Sequence, residues 1–268
     1  GTAGFLDPAD EPTCEAGSEG TAAVPLAWRI ASLRSTGGTL GEQRLLVAGA
    51  GASAQGIAQL YVSALVDEGH DPREARRRVW MVDRTGLVVA DRPELEPFKQ
   101  AFARSRGEVA GWSVRDPAAI SLLETVTALR PTMLIGTSAT PGLFSEVIVR
   151  AMAEGVERPV IFPLSNPTSK AECTPADALR WTAGRALLAT GSPFDPVSVL
   201  GRRFRIGQCN NSYVFPGVGL GAWVGRVRRV TDGMFLDAAK ALARMVSRTD
   251  LDECALYPGL ERIREISE

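Results

Sequence analysis

Residues 44–56, RLLVAGAGASAQG, constrain this chain more than any other stretch. An apolar run from Leu45 to Ala48 meets Gly49-Ala50-Gly51, and a helical pattern opens at Ala52-Ser53-Ala54. This is the strand–turn–helix opening of a dinucleotide-binding βαβ unit. Gly49 permits the tight turn, and Gly51 lets the backbone approach a pyrophosphate. Ala54 fills the third small position, where helix and strand lie close. The first N–H groups of the helix, from Ala52 onward, then face the phosphates with the positive end of the helix dipole behind them. A glycine-rich turn of this form also occurs where nothing binds, so the flanking strand and helix carry much of the inference.

The rest of the chain continues the alternation. Apolar runs at 79–83 (VWMVD), 132–136 (TMLIG), 159–165 (PVIFPLS) and 186–192 (ALLATGS) read as buried strands. Helical patterns are expected at 53–68, 94–104, 117–129 and 143–154, with a short helix opening at Thr174-Pro175 and further helices over 219–246. Upstream, Val24, Ala27, Trp28, Ala31 and Leu33 form an apolar stripe ended by Gly37-Gly38, with Thr21 as the expected N-cap and Pro25 in the first turn. Buried strands alternating with amphipathic helices imply an α/β fold: a doubly wound, mostly parallel sheet of Rossmann type with extra C-terminal helices. The expected division is an irregular lead-in plus helix over residues 1–40 and a dinucleotide-binding domain over 41–268.

Composition narrows the function classes. With 268 residues, 45% of them hydrophobic and a net charge of −1, the chain can bury a core and has no bias toward nucleic acid or anionic membranes. No apolar run is long enough to span a bilayer. The opening GTAGFLDPADEP lacks the basic start and apolar core of a signal peptide, so a cytoplasmic location is expected. Without an initiator Met the chain reads as a fragment or a processed form. Cys14, Cys173, Cys209 and Cys254 are widely spaced, which favours reduced thiols over a zinc site or a disulfide framework. The single histidine, His70, lies in the loop-like EGHDP and is expected to be exposed; a histidine general base is therefore not expected. The Arg-rich run at 73–78 reads as a solvated helix face.

Candidate site residues cluster after the strands, where ligands bind in doubly wound sheets. Asp83 ends the second strand and could accept hydrogen bonds from adenine-ribose hydroxyls, or simply cap its own turn. It stands 32 positions past Gly51 rather than the usual ~20, a gap that the EGHDPREARRR stretch accounts for. Arg84 offers the opposite chemistry, a partner for a 2′-phosphate. Thr137 and Ser138 follow the third of these strands. Asn166 follows the fourth, with a carboxamide able both to donate and to accept, although Asn-Pro turns also use such a residue for an internal bond. Gly191-Ser192 and Asn210-Asn211 repeat the pattern of small polar residues after apolar runs.

The longer motifs LSNPTSKAE (164–172), ATGSPFDPV (189–197) and QCNNSYVFPGVGLG (208–221) resemble the NAD-binding domain of malic enzymes of the large bacterial and eukaryotic type. MVDRTGLV (81–88) and PTMLIGTSATPGLFSE (131–146) extend the resemblance over roughly residues 20–246. Malic enzymes oxidise L-malate by hydride transfer to NAD(P)+ and decarboxylate the product to pyruvate and CO2 with a divalent metal. The resemblance implies cofactor roles for Gly49, Gly51, Ala54, Asp83 and Asn166, and a place near the substrate carboxylate for Asn166, Asn210 and Asn211. The VDR form at 82–84 resembles NAD-using bacterial members, which favours NAD over NADP. Lys170 matches a motif lysine outside the catalytic pair and is expected at the surface.

The same resemblance implies what this chain does not carry. The family's proton-transferring Tyr and Lys, its substrate Arg and two metal carboxylates lie in an N-terminal catalytic domain. A third carboxylate precedes a Gly-Thr pair; the matching stretch here is Cys14–Thr21, with Ala16-Gly17 where the acids would stand. A Mg2+ or Mn2+ ion needs several oxygen ligands, so no metal site and no catalytic residue is expected within the chain. The expected partners are a nicotinamide dinucleotide, a catalytic domain or partner chain, and further copies in a homo-oligomer. Two alternatives stand beside this reading: a free-standing dehydrogenase for another hydroxy acid, and a non-catalytic NAD-binding module.

Overall fold

The computed structural model describes residues 15–247 and 262–267. At its centre, β1 (Leu45–Ala48) pairs in parallel with β2 (Val79–Asp83) on one side and β4 (Met133–Gly136) on the other. The sheet then continues in parallel through β5 (Val160–Pro163), β6 (Leu187–Thr190) and the two-residue β9 (Gly207–Gln208). At the opposite edge β3 (Gly86–Leu87) turns back antiparallel to β2, giving the order β3-β2-β1-β4-β5-β6-β9. A separate hairpin joins β7 (Val197–Val199) to β8 (Arg202–Phe204). The expected α/β fold is therefore the observed one. Strands β1, β4, β5 and β6 are buried along their whole length, so their sequences are continuous apolar runs rather than alternating ones.

Helix α2 (Ala52–Asp67) connects β1 to β2. Helices α7 (Glu146–Gly155) and α8 (Pro175–Trp181) follow β4 and β5, and α6 (Leu122–Leu129) leads into β4. Chain progress runs outward from β1 in both directions, so right-handed crossovers put α2 and the α6–α8 set on opposite faces. Helix α1 (Glu15–Thr36) lies against α2 and against α10 (Asp232–Met245), and its Trp28 meets Phe162 of β5 edge-on at 4.6 Å between ring centroids. Trp28 and Phe162 belong to one continuous buried core.

Several boundaries differ from the sequence reading for identifiable reasons. Helix α1 starts at Glu15 rather than Thr21, because the Gly- and Ser-containing EAGSE is helical despite its low propensity. Pro25 consequently stands inside the helix, where it removes one backbone hydrogen bond. The helix expected over 94–104 contracts to α4 (Pro97–Gln100): Glu94 adopts φ 56°, which a helix cannot contain, and Pro97 sets the start. Likewise α6 starts at Leu122, where Ser121 and Glu124 form a capping box. The short α3 (Pro72–Arg76) carries part of the Arg-rich run, and α5 (Arg106–Val109) is a single turn. At the C-terminal end α9 (Phe215–Val224) and α10 are separate helices, and α11 (Ile263–Ser267) follows. Cys14 and Cys254 lie outside the described residues. No described helix is long and apolar enough to cross a membrane.

Candidate functional site

The register of the sheet brings the candidate residues to one edge. Ala48 pairs with Gly136, and Gly136 with Pro163, so Gly49, Thr137 and Leu164 leave the sheet at the same level. Chain order reverses direction between β1 and β4, which opens a crevice beyond their carboxyl ends. Gly49 and Gly51 line one side of that point, Thr137 and Ser138 the other. Asn166, Ser192 and Asn210 follow in sequence along β5, β6 and β9.

The glycine turn has the physical properties its sequence implies. Gly49 adopts φ +116°, and a Cβ there would lie 2.8 Å from the Thr137 carbonyl oxygen. At Gly51, by contrast, a Cβ would meet nothing within 4 Å. Gly51 is the N-cap of α2 and no side chain caps the helix; Gly51, Ala52 and Ser53 are exposed while Ala54 is fully buried. The turn is thus a cradle with open space above it and donor N–H groups beneath it. Thr137 adds a hydroxyl that is buried and has no hydrogen-bond partner. The cradle, from Gly51 to Ser53, fits a dinucleotide pyrophosphate.

Asp83 is held by neighbours that the sequence reading did not name. Its Oδ1 accepts from the Thr85 amide at 2.9 Å and the Thr85 hydroxyl at 2.8 Å. Arg92 Nη2 donates to both carboxylate oxygens, at 3.0 and 2.9 Å, and Lys99 Nζ to Oδ2 at 3.2 Å. Arg92 Nη2 also donates to Thr85 Oγ1. Burial opposes ionisation of Asp83, but the hydrogen bonds from Arg92 and Thr85 and the charge of Arg92 outweigh it and hold the carboxyl at about 2. Arg84 is exposed, and the cations paired with Asp83 are Arg92 and Lys99, the latter also bound to Glu96 at 2.6 Å. Neither lies in a recognisable pattern; the turn back through β3 and the start of α4 bring them to Asp83.

The far side of the crevice is organised by Glu172, a residue inside the SNPTSKAE motif that sequence reasoning passed over. It is 0% exposed. Its carboxylate accepts from Ser138 N (2.8 Å) and Ser138 Oγ (2.9 Å) after β4, and from Ser165 Oγ (2.6 Å) after β5. Both donors of Ser138 are therefore directed into the protein. Asn166 is exposed and its Oδ1 accepts from Ser192 Oγ after β6, rather than from its own turn. Asn210 Oδ1 accepts from Ser212 N at 2.9 Å and caps the next turn, while Asn211 is exposed. Lys170 and His70 are exposed. Among the described residues no three His, Cys, Asp or Glu side chains gather as a metal site requires. Of the Cys14–Thr21 stretch, Glu15 to Thr21 belong to the first turns of α1.

Comparison with known proteins agrees with this geometry. The family model described as "Malic enzyme, NAD binding domain" matches residues 18–268. The NAD-dependent malic enzyme of Shewanella sp. (strain ANA-3) is 46% identical over 250 residues, covering 93% of this chain and 44% of that protein. That of Shewanella woodyi is 45% identical with the same coverage. Among solved structures, the malic enzyme of Entamoeba histolytica shares the fold with a TM-score of 0.67 at 24% identity, over 93% of this chain and 47% of that one. The malic enzyme from Pyrococcus horikoshii Ot3 gives 0.66 at 26% identity, over 93% and 52%. The chain spans less than half the length of the curated relatives it matches. It belongs to the malic enzyme family, which it matches through that family's NAD-binding domain.

Proposed function

We propose that this chain binds a nicotinamide dinucleotide across the carboxyl ends of β1, β4, β5 and β6, as the cofactor-binding part of an enzyme that oxidises and decarboxylates malate. The observation that carries this reading is the open cradle at Gly51, over the uncapped start of a 16-residue helix and at the reversal point of the sheet. Amides of Gly51, Ala52 and Ser53 serve the pyrophosphate, and Ala54 keeps α2 against β1. Thr137 and Asn166 flank the nicotinamide end, with Ser138 holding its loop in place. Asn210 and Asn211 lie toward the substrate. Bound NAD+ supplies the hydride acceptor.

NAD is the favoured cofactor. Asp83 and Glu96 together balance Arg92 and Lys99, and the Asp83 carboxylate, anionic across the neutral pH range, disfavours a 2′-phosphate beside it even with Arg84 exposed nearby. The donor set among the described residues does not fit a divalent metal. Metal ligands and proton-transfer groups are therefore assigned to the portion of the relatives that this chain does not match, whether in the same polypeptide or in a partner. A non-catalytic dinucleotide-binding module is the second reading, favoured by Ala16-Gly17 where the family has acids.

Calorimetric titration with NAD+, NADP+ and ADP-ribose tests the proposal. Saturable NAD+ binding, tighter than NADP+ binding, is expected. No heat of binding at millimolar NAD+ would remove both readings. Malate-dependent NADH formation with Mn2+ by this chain alone would contradict the assignment of the metal and proton-transfer groups elsewhere.

A further inference from the structure

We propose that Glu172 is the positioning residue of the nicotinamide end of the site; this rests on the dinucleotide reading above. Glu172 is a fully buried carboxylate held by donors from two strand ends: Ser138 N and Oγ after β4, Ser165 Oγ and, at 3.4 Å, Ser165 N after β5. Ser165 Oγ in turn accepts from Ala139 N at 2.8 Å, so the two loops are joined through a single side chain. The next residue, Asn166, is linked to Ser192 beyond β6. One carboxylate thus fixes the spacing of two strand ends at the mouth of the crevice, and Asn166, next to the clamped Ser165, ties in the third.

Two features separate this arrangement from ordinary core stabilisation. First, three donors converge on Oε1 and the Ser165 amide faces Oε2. A glutamine of the same shape would set its NH2 group against the Ser165 amide or against the Ser138 amide, leaving a buried donor unpaired. Second, the approach is built into the strand: at Gly136, the last residue of β4, a Cβ would lie 2.6 Å from Glu172 Oε2. A buried carboxylate is expensive unless its hydrogen bonds are complete. Here those bonds all go to loops that bound the crevice, and none to a helix or to the interior of a strand. Thr137, with its buried unpartnered hydroxyl, sits directly before the clamped Ser138, and Asn166 directly after the clamped Ser165. Moving the clamp therefore moves the residues assigned to the nicotinamide while leaving the open start of α2 at Gly51 to Ser53 in place.

The test compares NAD+ with ADP-ribose, which shares everything but the nicotinamide, in wild type, Glu172→Gln and the milder Ser165→Ala. Thermal unfolding is followed in parallel. The expected result is about a tenfold loss of NAD+ affinity in Glu172→Gln and a smaller loss in Ser165→Ala, with ADP-ribose affinity within about twofold of wild type in both. Equal losses for the two ligands, or none, would overturn the proposal and make Glu172 a structural clamp only. If Glu172→Gln does not fold, Ser165→Ala decides by the same ratio. A wild-type chain that binds ADP-ribose but gains nothing from the nicotinamide also overturns it. A wild-type chain that binds neither ligand overturns the dinucleotide reading and this inference with it.

Discussion

Asp83 closes β2 under donors from Thr85, Arg92 and Lys99. Its place at the end of β2 follows from the apolar run before it. Its engagement by Thr85, Arg92 and Lys99 does not, because two of these come from a loop and a short helix whose path no pattern foretells. Replacing Asp83 with Ala deprives Arg92 of its carboxylate partner and leaves Lys99 paired with Glu96. We expect NAD+ affinity to fall and NADP+ affinity to rise, so that the ratio of the two changes by about tenfold, as read by parallel titrations. Acid stability follows the same group. Its folded pKa of about 2 lies below its unfolded value, so its stabilising contribution is complete above about pH 4 and is lost as pH falls toward 2. Denaturant unfolding from pH 5 to 2 should show a shallower acid decline in Asp83→Asn than in wild type. The glycines give a second contrast. Gly136→Ala collides with Glu172 and should destabilise by about 2 kcal/mol. Gly51→Ala meets nothing within 4 Å and should cost at most about 0.5 kcal/mol in denaturant melts while weakening NAD+ binding by about tenfold.

Legibility of the elements tracks their burial. Strands β1, β2, β4, β5 and β6 were readable because a parallel sheet covered on both faces demands uninterrupted apolar residues. Strands β3 and β9 are two residues long, and the β7–β8 hairpin is half exposed, so neither period nor composition marks them. The helical misreadings have local causes: a positive φ at Glu94 and a capping box at Ser121 override the longer apolar pattern. The site divides in the same way. The cradle is a local motif of a few consecutive residues and was fully legible. The Glu172 clamp joins residues 34 positions apart and became visible only once β4 and β5 were adjacent. At this scale Ser121→Ala removes the α6 cap and should cost about 1 kcal/mol by chemical denaturation, without effect on dinucleotide affinity.

For the whole molecule, the surface of α9 is the feature that the isolated chain does not satisfy. Leu220, Trp223, Val224 and Val227 are 43%, 64%, 67% and 44% exposed in one short stretch. Contiguous apolar exposure of this kind marks an interaction surface or drives association. Where copies of this chain associate in sedimentation experiments, Trp223→Glu should lower that association and leave NAD+ affinity unchanged. The composition of the chain, its one continuous core and its sheet order all agree with a cofactor-binding unit. We assign the chemistry of malate oxidation to the portion of the relatives that this chain does not match. The most direct test is a crystal structure of the chain grown with NAD+. The account predicts the pyrophosphate over Gly51 at the start of α2, the adenosine toward Asp83 and the nicotinamide between Thr137 and Asn166. An empty crevice in crystals saturated with NAD+, or a dinucleotide bound on another face of the sheet, would contradict it.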